Sequence, residues 1–171
     1  MIALFSDTHS HDGHALEGAA LETVRGADTV IHAGDFTSPS ALADFERASA
    51  SFHAVHGNAD SAAVRSRLPE SRTVDAAGIR FAVTHRRRGG ATELELFGRS
   101  QDAAIVVSGH THRPSLERVG DLLLVNPGSH AQPRGNRPGF GTVVDDDGLE
   151  VRLHDLTGAV VRRESVSVSL E

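Results

Sequence analysis

The chain has 171 residues, a formal net charge of −6 at neutral pH and no cysteine. This length predicts one domain over residues 1–171 with a sizeable core, and the lack of cysteine excludes disulfides, zinc–thiolate sites and cysteine nucleophiles. All 17 basic residues are arginine, which excludes lysine chemistry, and the acidic balance disfavours a general nucleic-acid-binding surface.

The N-terminal part of the chain alternates short apolar runs with segments whose apolar residues have helical spacing. Buried strands are predicted over residues 2–6, 28–32 and 52–56. Helices are predicted between them, over residues 14–25 and from Ser38 onward, where Pro39 suits the first helical turn. This alternation predicts a parallel sheet with right-handed crossovers.

Each of these three strands ends in polar residues. Asp7 and His9 follow the first strand, Asp35 follows the second, and Asn58 follows the third. Because the carboxyl ends of parallel strands lie at one edge of a sheet, we expect these side chains to converge. Asp60 is expected to cap the segment that follows it, and a hydrogen bond to a metal-binding histidine is the alternative.

The pattern of apolar residues in the second half of the chain predicts more strands and one helix, and this half also contains a pair of closely spaced histidines. Strands are predicted over residues 72–76, 79–84 and 103–107, and a helix over residues 92–101 with Thr92 as its cap. The last of these strands leads into residues 108–112, Ser-Gly-His-Thr-His, where Gly109 would let the backbone approach a bound group closely.

A run of strands separated by turns completes the chain. They are predicted over residues 115–119, 122–126, 139–145, 149–153 and 159–165. Residues 166–170 either extend the last strand or fray. We interpret these strands as an antiparallel second sheet that is added to the α/β half.

Histidines also follow strands in the second half of the chain. His85 follows the strand over residues 79–84, and His110 and His112 follow the strand over residues 103–107. Together with the polar residues after the first three strands, they form one set of candidate metal ligands. The set comprises Asp7, His9, Asp35, Asn58, His85, His110 and His112. Imidazole, carboxylate and amide ligands suit divalent transition-metal ions. These ligands are too many for one ion, but they suit two ions that share a carboxylate.

Five motifs occur at these strand ends in a fixed order. They are Asp7-x-His9, Gly34-Asp35, Gly57-Asn58, His85 and Gly109-His110-Thr111-His112. In this order they resemble the motifs of the calcineurin-like metallophosphoesterases. The chain length and the sequence Asn126-Pro127-Gly128-Ser129 are similar to those of the small prokaryotic phosphodiesterases of that superfamily. The resemblance covers nearly the whole chain and implies an α/β fold, a four-layer αββα sandwich of two mixed β-sheets.

The resemblance also implies a role for each candidate ligand. The first metal ion would be bound by Asp7, His9 and His112, the second by Asn58, His85 and His110, and Asp35 would bridge the two. A bridging hydroxide would attack phosphorus in line, with Asp35, Asn58 and His110 as the residues expected to act in catalysis. Two divalent ions are expected, Mn²⁺ first, with Ni²⁺, Fe²⁺, Zn²⁺ and Co²⁺ as alternatives.

Two positions depart from the family pattern. Many relatives have a histidine that protonates the leaving oxygen where this chain has Ala59, and His11 is a candidate substitute. The departure favours diesters, or other substrates whose leaving group needs no general acid. Relatives often have glycine where this chain has Arg86, which Arg87 and Arg88 follow. We interpret these arginines as a solvated loop, with a phosphate-binding role as the alternative.

We therefore expect a dinuclear metal-dependent phosphoesterase, and specifically a phosphodiesterase that hydrolyses a P–O bond. A phosphomonoesterase on the same site and a non-catalytic protein-binding scaffold of the same fold are the alternatives. The complete ligand set favours an enzyme, because scaffolds of this fold tend to lose it. The substrate would be a phosphate ester, and the sequence leaves cyclic nucleotides, nucleic-acid ends and small metabolites open.

The sequence also carries expectations about location and assembly. No apolar run approaches the roughly 20 residues that a membrane helix requires, and no basic residues precede the strand that starts at residue 2. A cytoplasmic protein is therefore expected. The sequence carries no signal for the oligomeric state, and a homodimer is considered because it is the commonest assembly for such a domain.

Overall fold

The computed structural model describes residues 1–166, so residues 167–170 of the predicted strand extension lie outside the described part. The helices are α1 (Gly18–Gly26), α2 (Pro39–Ala48), α3 (Ala62–Arg65) and α4 (Ala91–Ser100). The strands are β1 (Ile2–Phe5), β2 (Thr29–His32), β3 (Phe52–Ala54), β4 (Ser71–Ala76), β5 (Ile79–Thr84), β6 (Ile105–Val107), β7 (Ser115–Val119), β8 (Leu122–Asn126), β9 (Phe140–Asp145), β10 (Leu149–His154) and β11 (Val160–Ser165). Within residues 1–166, no helix has the length and hydrophobicity that spanning a bilayer requires.

The strands form two mixed sheets. The first has the order β11-β10-β9-β1-β2-β3, and the second has the order β4-β5-β6-β8-β7. β1, β2 and β3 are parallel to one another in the first sheet, as are β5, β6 and β8 in the second. The other neighbours within each sheet are antiparallel. Each sheet therefore has a parallel centre, whose strands can end in a common site.

The two sheets share an apolar core, and helices cover their outer faces. Successive side chains of a strand point to opposite faces, so Leu4 joins Phe81 in the core between the sheets while Phe5 packs beside Phe45 of α2. On the other side of the molecule, Phe97 of α4 packs on the outer face of the second sheet. The predicted four-layer αββα sandwich of two mixed sheets is confirmed.

The strands after the histidines do not form a separate antiparallel sheet, so that prediction is wrong. β9, β10 and β11 extend the first sheet, in which β9 is antiparallel to β1. β7 and β8 extend the second sheet, in which β8 is parallel to β6. The alternation of apolar residues shows which face of a strand is buried, but it carries no information about the neighbouring strand.

Helix starts follow local hydrogen bonds. α1 begins later than predicted, because the Nδ1 of His14 accepts a hydrogen bond from the Leu16 N–H at 3.0 Å, which favours a turn over a helix. Gly90 rather than Thr92 occupies the cap position of α4. The start of α2 is confirmed, since the Ser38 hydroxyl accepts a hydrogen bond from a backbone N–H of the first turn at 3.1 Å.

Candidate metal centre

The loops that follow β1 and β2 run side by side at one end of the sandwich. The Asp7 N–H donates to the Gly34 carbonyl at 2.9 Å, and the His9 N–H donates to the Asp35 carbonyl at 2.9 Å. This backbone pairing continues beyond the parallel strands, so both carboxylates lie at the same sheet edge. The predicted convergence of these strand ends is confirmed.

Five of the candidate ligands have left-handed backbone conformations. φ is positive at Asp7 (+55°), His9 (+44°), Asp35 (+62°), His110 (+72°) and His112 (+57°). A positive φ is uncommon in residues other than glycine, and it costs on the order of 1–3 kcal/mol at each position. Strain of this kind collects at functional sites, so the pattern marks these strand ends as the candidate site.

Glycine lets the same loops approach each other closely. A Cβ on Gly57 would lie 2.1 Å from Oδ1 of Asp35. A Cβ on Gly109 would lie 1.9 Å from the Ser6 hydroxyl oxygen and 2.6 Å from Oδ2 of Asp7. The backbone at Gly109 thus lies against Ser6 and Asp7, its approach to a bound group stays a prediction, and a side chain at either glycine would displace a carboxylate of the site.

Asp7, His9 and His112 form the first group of side chains that could hold a metal ion. Oδ1 of Asp7 lies 3.7 Å from Nε2 of His9 and 3.4 Å from Nε2 of His112. The two imidazoles are stacked, with ring centroids 4.8 Å apart. All three of these ligand atoms are buried, and none forms a hydrogen bond within residues 1–166. Because buried polar atoms are almost always partnered, three orphaned atoms that face one another fit a cation between them.

Asp7, Asp35 and His85 form the second group. Oδ2 of Asp35 lies 3.1 Å from Nε2 of His85 and 3.3 Å from Nε2 of His9, so one oxygen faces a histidine of each group. Oδ1 of Asn58 lies 3.1 Å from the same nitrogen of His85. Asn58 is exposed, whereas Asp7, Asp35 and His85 are buried, so the centre opens to solvent on the side of Asn58.

Backbone carbonyls fix the orientation of two of the imidazoles. Nδ1–H of His85 donates to the Ala33 carbonyl at 2.8 Å, and Nδ1–H of His112 donates to the Gln132 carbonyl. A carbonyl can only accept, so the ring proton lies on Nδ1 in both residues. In the neutral form of either ring, Nε2 therefore carries the lone pair that a metal ion requires, which is the usual arrangement of a metal-binding histidine.

Hydrogen bonds from the protein also fix the carboxylates of Asp7 and Asp35. Oδ2 of Asp7 accepts hydrogen bonds from the Ser6 hydroxyl at 2.8 Å and from the His110 N–H at 2.9 Å. Oδ1 of Asp35 accepts a hydrogen bond from the Ala59 N–H at 2.8 Å. In each carboxylate, protein donors fix one oxygen and the other oxygen faces imidazoles, as is typical of metal-binding carboxylates.

The carboxylates also change the pKa of their imidazole neighbours. The attraction of Asp35, followed by that of Asp7, raises the pKa of His9 to about 9 against the effect of burial. Burial acts to lower the pKa of His85, but the nearby Asp35 outweighs it and the pKa is raised. Burial likewise acts to raise the pKa of Asp35, but His85 and His9 outweigh it, and the pKa of that carboxyl is lowered. The buried carboxylates thus make the centre attractive to cations.

His110 lies beside these two groups and belongs to neither. Its ring is half-buried, its centroid is 5.4 Å from that of His85, and its Nε2 is 3.4 Å from Nη1 of Arg86. Burial, and then the charges of His85 and Arg86, lower the pKa of His110. Its role as a ligand of the second ion stays a prediction. His11 is exposed and belongs to neither group.

Asp60 supports the loops of the site. Its buried carboxylate accepts hydrogen bonds at 3.0, 2.8 and 2.7 Å from the backbone N–H groups of Asp35, Thr37 and Gly57. The prediction that it caps the next segment is wrong, because Ser61 occupies that position at the start of α3. Asp60 thus links the loops that follow β2 and β3.

Further support comes from Asn126 at the end of β8 and from residues that follow it. The Asn126 side chain donates to the Gly109 carbonyl at 2.9 Å, and the Ser129 hydroxyl donates to the Asp7 carbonyl at 2.6 Å. The sequence motifs do not single out Ser6 or Gln132 as parts of the site. Any residue can supply a backbone carbonyl, so no sequence signal distinguishes Gln132. Its role is visible only in the structure, where its carbonyl accepts the hydrogen bond from His112.

Comparisons with known proteins show which family the chain resembles. The sequence model of the calcineurin-like phosphoesterase superfamily domain matches residues 1–147. A probable metallophosphoesterase of Methanothermobacter thermautotrophicus is 32% identical over 168 residues, which are 95% of this chain and 96% of that protein. A phosphodiesterase of Methanocaldococcus jannaschii is 28% identical over 138 residues, 74% of this chain and 82% of that protein.

A solved structure agrees as well. Vps29 of Entamoeba histolytica, in complex with zinc, superposes with a TM-score of 0.77 over 96% of this chain and 97% of that chain. It is 22% identical, so it supports the fold alone. Family membership follows from the sequence model and from the relative that is 32% identical over nearly the whole chain. The chain belongs to the calcineurin-like phosphoesterase superfamily.

Proposed function

We propose that this protein is a dinuclear metal-dependent phosphodiesterase. The observation that carries the proposal is the position of Asp35, whose Oδ2 lies 3.3 Å from Nε2 of His9 and 3.1 Å from Nε2 of His85. One carboxylate oxygen between histidines of two ligand groups fits a bridge between two ions. In this proposal the first ion is held by Asp7, His9 and His112, and the second by Asn58, His85 and His110.

Two divalent ions bound there would lower the pKa of water toward neutrality and neutralise charge on a phosphoryl group. The chain itself holds the ligands rigid, because the carbonyls behind His85 and His112 fix both rings. Asn58 is exposed and His110 is half-buried, so a substrate reaches the centre past these two residues. Mn²⁺ is the proposed ion, with Fe²⁺, Ni²⁺, Zn²⁺ and Co²⁺ as alternatives, because affinity alone does not decide metal occupancy in a cell.

The surface around the centre favours a diester over a monoester. A cavity of about 300 Å³ is lined by His85, Arg86, Leu94 and His110, among others. A second cavity, of about 340 Å³, is lined by His85, Arg86 and Asn58, among others. A phosphodiester carries two organic groups, and two cavities that share a wall at the centre offer one space to each. Both cavities are of the size that small ligands occupy.

The two alternatives rest on weaker observations. A phosphomonoesterase would use the same ligands, but it would leave one of the cavities without an organic group. The likeness to Vps29 concerns the fold alone, and a fold does not determine function. A scaffold has no need of three buried ligand atoms that face one another and form no hydrogen bond among the described residues. The retained ligand geometry therefore supports an enzyme.

The test is the hydrolysis rate of a generic aryl phosphodiester compared with that of its monoester, with Mn²⁺ and with a chelator. We expect turnover that requires the metal and favours the diester. A preference for the monoester would replace the proposal with a phosphatase. If neither ester is hydrolysed by protein that binds two Mn²⁺ ions, a non-catalytic scaffold becomes the better explanation.

A further inference from the structure

The three consecutive arginines after His85 have different surroundings. Arg86 is exposed, and its Nη1 lies 3.4 Å from Nε2 of His110. The guanidinium of Arg87 lies over the ring of Phe97, 4.1 Å from its centroid, so this side chain packs on α4. Arg88 is exposed and lines neither of the cavities beside the centre. Arg87 also lines the first of these cavities, and Arg86 is the one arginine of the three that lines both.

Arg86 lies beside the cavities at the candidate centre. It lines both cavities beside the centre, and with His85 it forms their common wall. None of the ion pairs formed within residues 1–166 includes Arg86. Its charge therefore has no carboxylate partner in that part of the chain. The 3.4 Å contact with His110 occupies one N–H, and a guanidinium has five.

We propose that Arg86 binds a non-bridging oxygen of the phosphoryl group and stabilises the charge that develops there during hydrolysis. This inference rests on the proposed phosphoesterase function and names a substrate-binding residue for it. The planar guanidinium suits a phosphoryl group, because two N–H groups can meet two oxygens at once. A positive charge placed before the reaction starts stabilises the transition state without reorganisation.

The role is electrostatic, because an arginine in a protein does not give up its proton. In the reaction, a water molecule gives up one proton to solvent and its oxygen forms a bond to phosphorus. The bond from phosphorus to the leaving oxygen breaks, and that oxygen takes a proton from solvent. Ala59 offers no proton to the leaving oxygen. The lack of a general acid favours substrates whose leaving oxygen is stable as an anion. The charge of Arg86 partly compensates for the missing acid.

The experiment compares wild-type protein with Arg86→Gln and Arg86→Lys, and it uses Arg88→Gln as the matched control. Each protein is loaded with Mn²⁺, and calorimetry gives its affinity for Mn²⁺ and for inorganic phosphate. kcat and KM are measured on an aryl phosphodiester. We expect Arg86→Gln to weaken phosphate binding roughly tenfold or more and to lower kcat/KM about 100-fold, as expected for the loss of one charged donor.

Further readouts separate this role from a structural one. The melting temperature and Mn²⁺ affinity of Arg86→Gln should match those of Arg88→Gln, because the side chain is exposed and is not a ligand. Arg86→Lys should recover part of the lost affinity for phosphate, since lysine keeps the positive charge but lacks the paired N–H groups of a guanidinium. Arg88→Gln should stay within about twofold of wild type in phosphate binding and turnover, because Arg88 is exposed and lines neither cavity.

The outcomes distinguish this inference from the proposed function. If wild type hydrolyses the diester and Arg86→Gln behaves like Arg88→Gln, the role of Arg86 is overturned while the enzyme stands. If wild type binds phosphate and Arg86→Gln does not, but neither hydrolyses an ester, Arg86 is an anion-binding residue and the proposed function fails. If Mn²⁺-loaded wild type has no affinity for phosphate, the inference is wrong.

Discussion

The carboxylate of Asp60 accepts a hydrogen bond from the backbone N–H of Asp35 at 3.0 Å. The same carboxylate accepts from Thr37 at 2.8 Å and from Gly57 at 2.7 Å. Asp35 therefore depends on a second acidic residue that lies outside both ligand groups. Asp60 holds the left-handed turn at Asp35, where φ is +62°, against the neighbouring loop.

Replacement of Asp60 by alanine should weaken both the fold and the site. Three N–H groups would lose their acceptor, and each buried unsatisfied group costs about 1–3 kcal/mol. We expect urea unfolding to show a loss of about 3 kcal/mol, and a titration to show weaker Mn²⁺ binding. Ser61→Ala is the control, since it removes only the cap of α3, at about 1 kcal/mol, and leaves Mn²⁺ binding unchanged. Equal Mn²⁺ affinity in the two variants would contradict this role.

Asp35→Asn tests the bridge directly. The amide would carry no charge, and it would place either an NH₂ or a neutral oxygen between His9 and His85. We expect Mn²⁺ affinity and diester hydrolysis to fall together, with kcat/KM lowered about 100-fold or more. Asp121→Asn is the matched control, because Asp121 is exposed in the turn between β7 and β8, and it should behave as wild type. Full activity of Asp35→Asn would rule out the dinuclear centre.

The site was more predictable from the sequence than the sheets were, for a physical reason. Asp7 and Asp35 follow parallel strands that are neighbours along the chain, and the right-handed crossover rule brings such strand ends together. The pairing of Leu4 in β1 with Gly141 in β9 joins distant parts of the chain, and no local pattern encodes it. Asp60 was assigned to the wrong contact because a cap is a local feature, whereas its real donors lie in two different loops.

Gly109→Ala should show how tightly the loops are packed at Asp7. The new Cβ would lie 1.9 Å from the Ser6 hydroxyl oxygen and 2.6 Å from Oδ2 of Asp7, inside an existing hydrogen bond. We expect a loss of unfolding free energy of about 1–3 kcal/mol, as for overpacking, together with weaker Mn²⁺ binding. Gly26→Ala is the control, because nothing lies within 4 Å of its added Cβ. Equal effects of the two substitutions on stability and Mn²⁺ affinity would show that the close approach does not matter.

His130 makes the stability of the fold depend on pH, independently of the candidate ligands. Its ring is buried against Phe5 and Phe45, and Nε2–H donates to the His14 carbonyl at 2.9 Å. Nδ1 is buried without a hydrogen-bond partner among the described residues, so there is no acceptor for a second proton. Burial lowers the pKa of His130 to about 4, from the ordinary histidine value of 6.5.

The sign of the pH effect follows from which state binds the proton. Between pH 6.5 and about 4 the unfolded chain protonates this histidine while the folded protein keeps it neutral, so acid favours unfolding. The free energy of unfolding should fall by up to about 1.4 kcal/mol per pH unit from this residue, or about 3 kcal/mol over the whole window. His32, which is also buried with a lowered pKa, acts in the same direction.

His130→Gln isolates this contribution, because the glutamine amide can donate to the His14 carbonyl and does not titrate in this range. Urea unfolding of metal-free wild type and variant at intervals from pH 7 to pH 4 gives the two slopes. We expect the variant to be less stable at pH 7, because it loses the aromatic contacts, and to lose less stability on acidification. The candidate ligands titrate in both proteins, so their effect cancels in the difference. Parallel curves for the two proteins would show that His130 takes up its proton as readily in the folded state as in the unfolded chain.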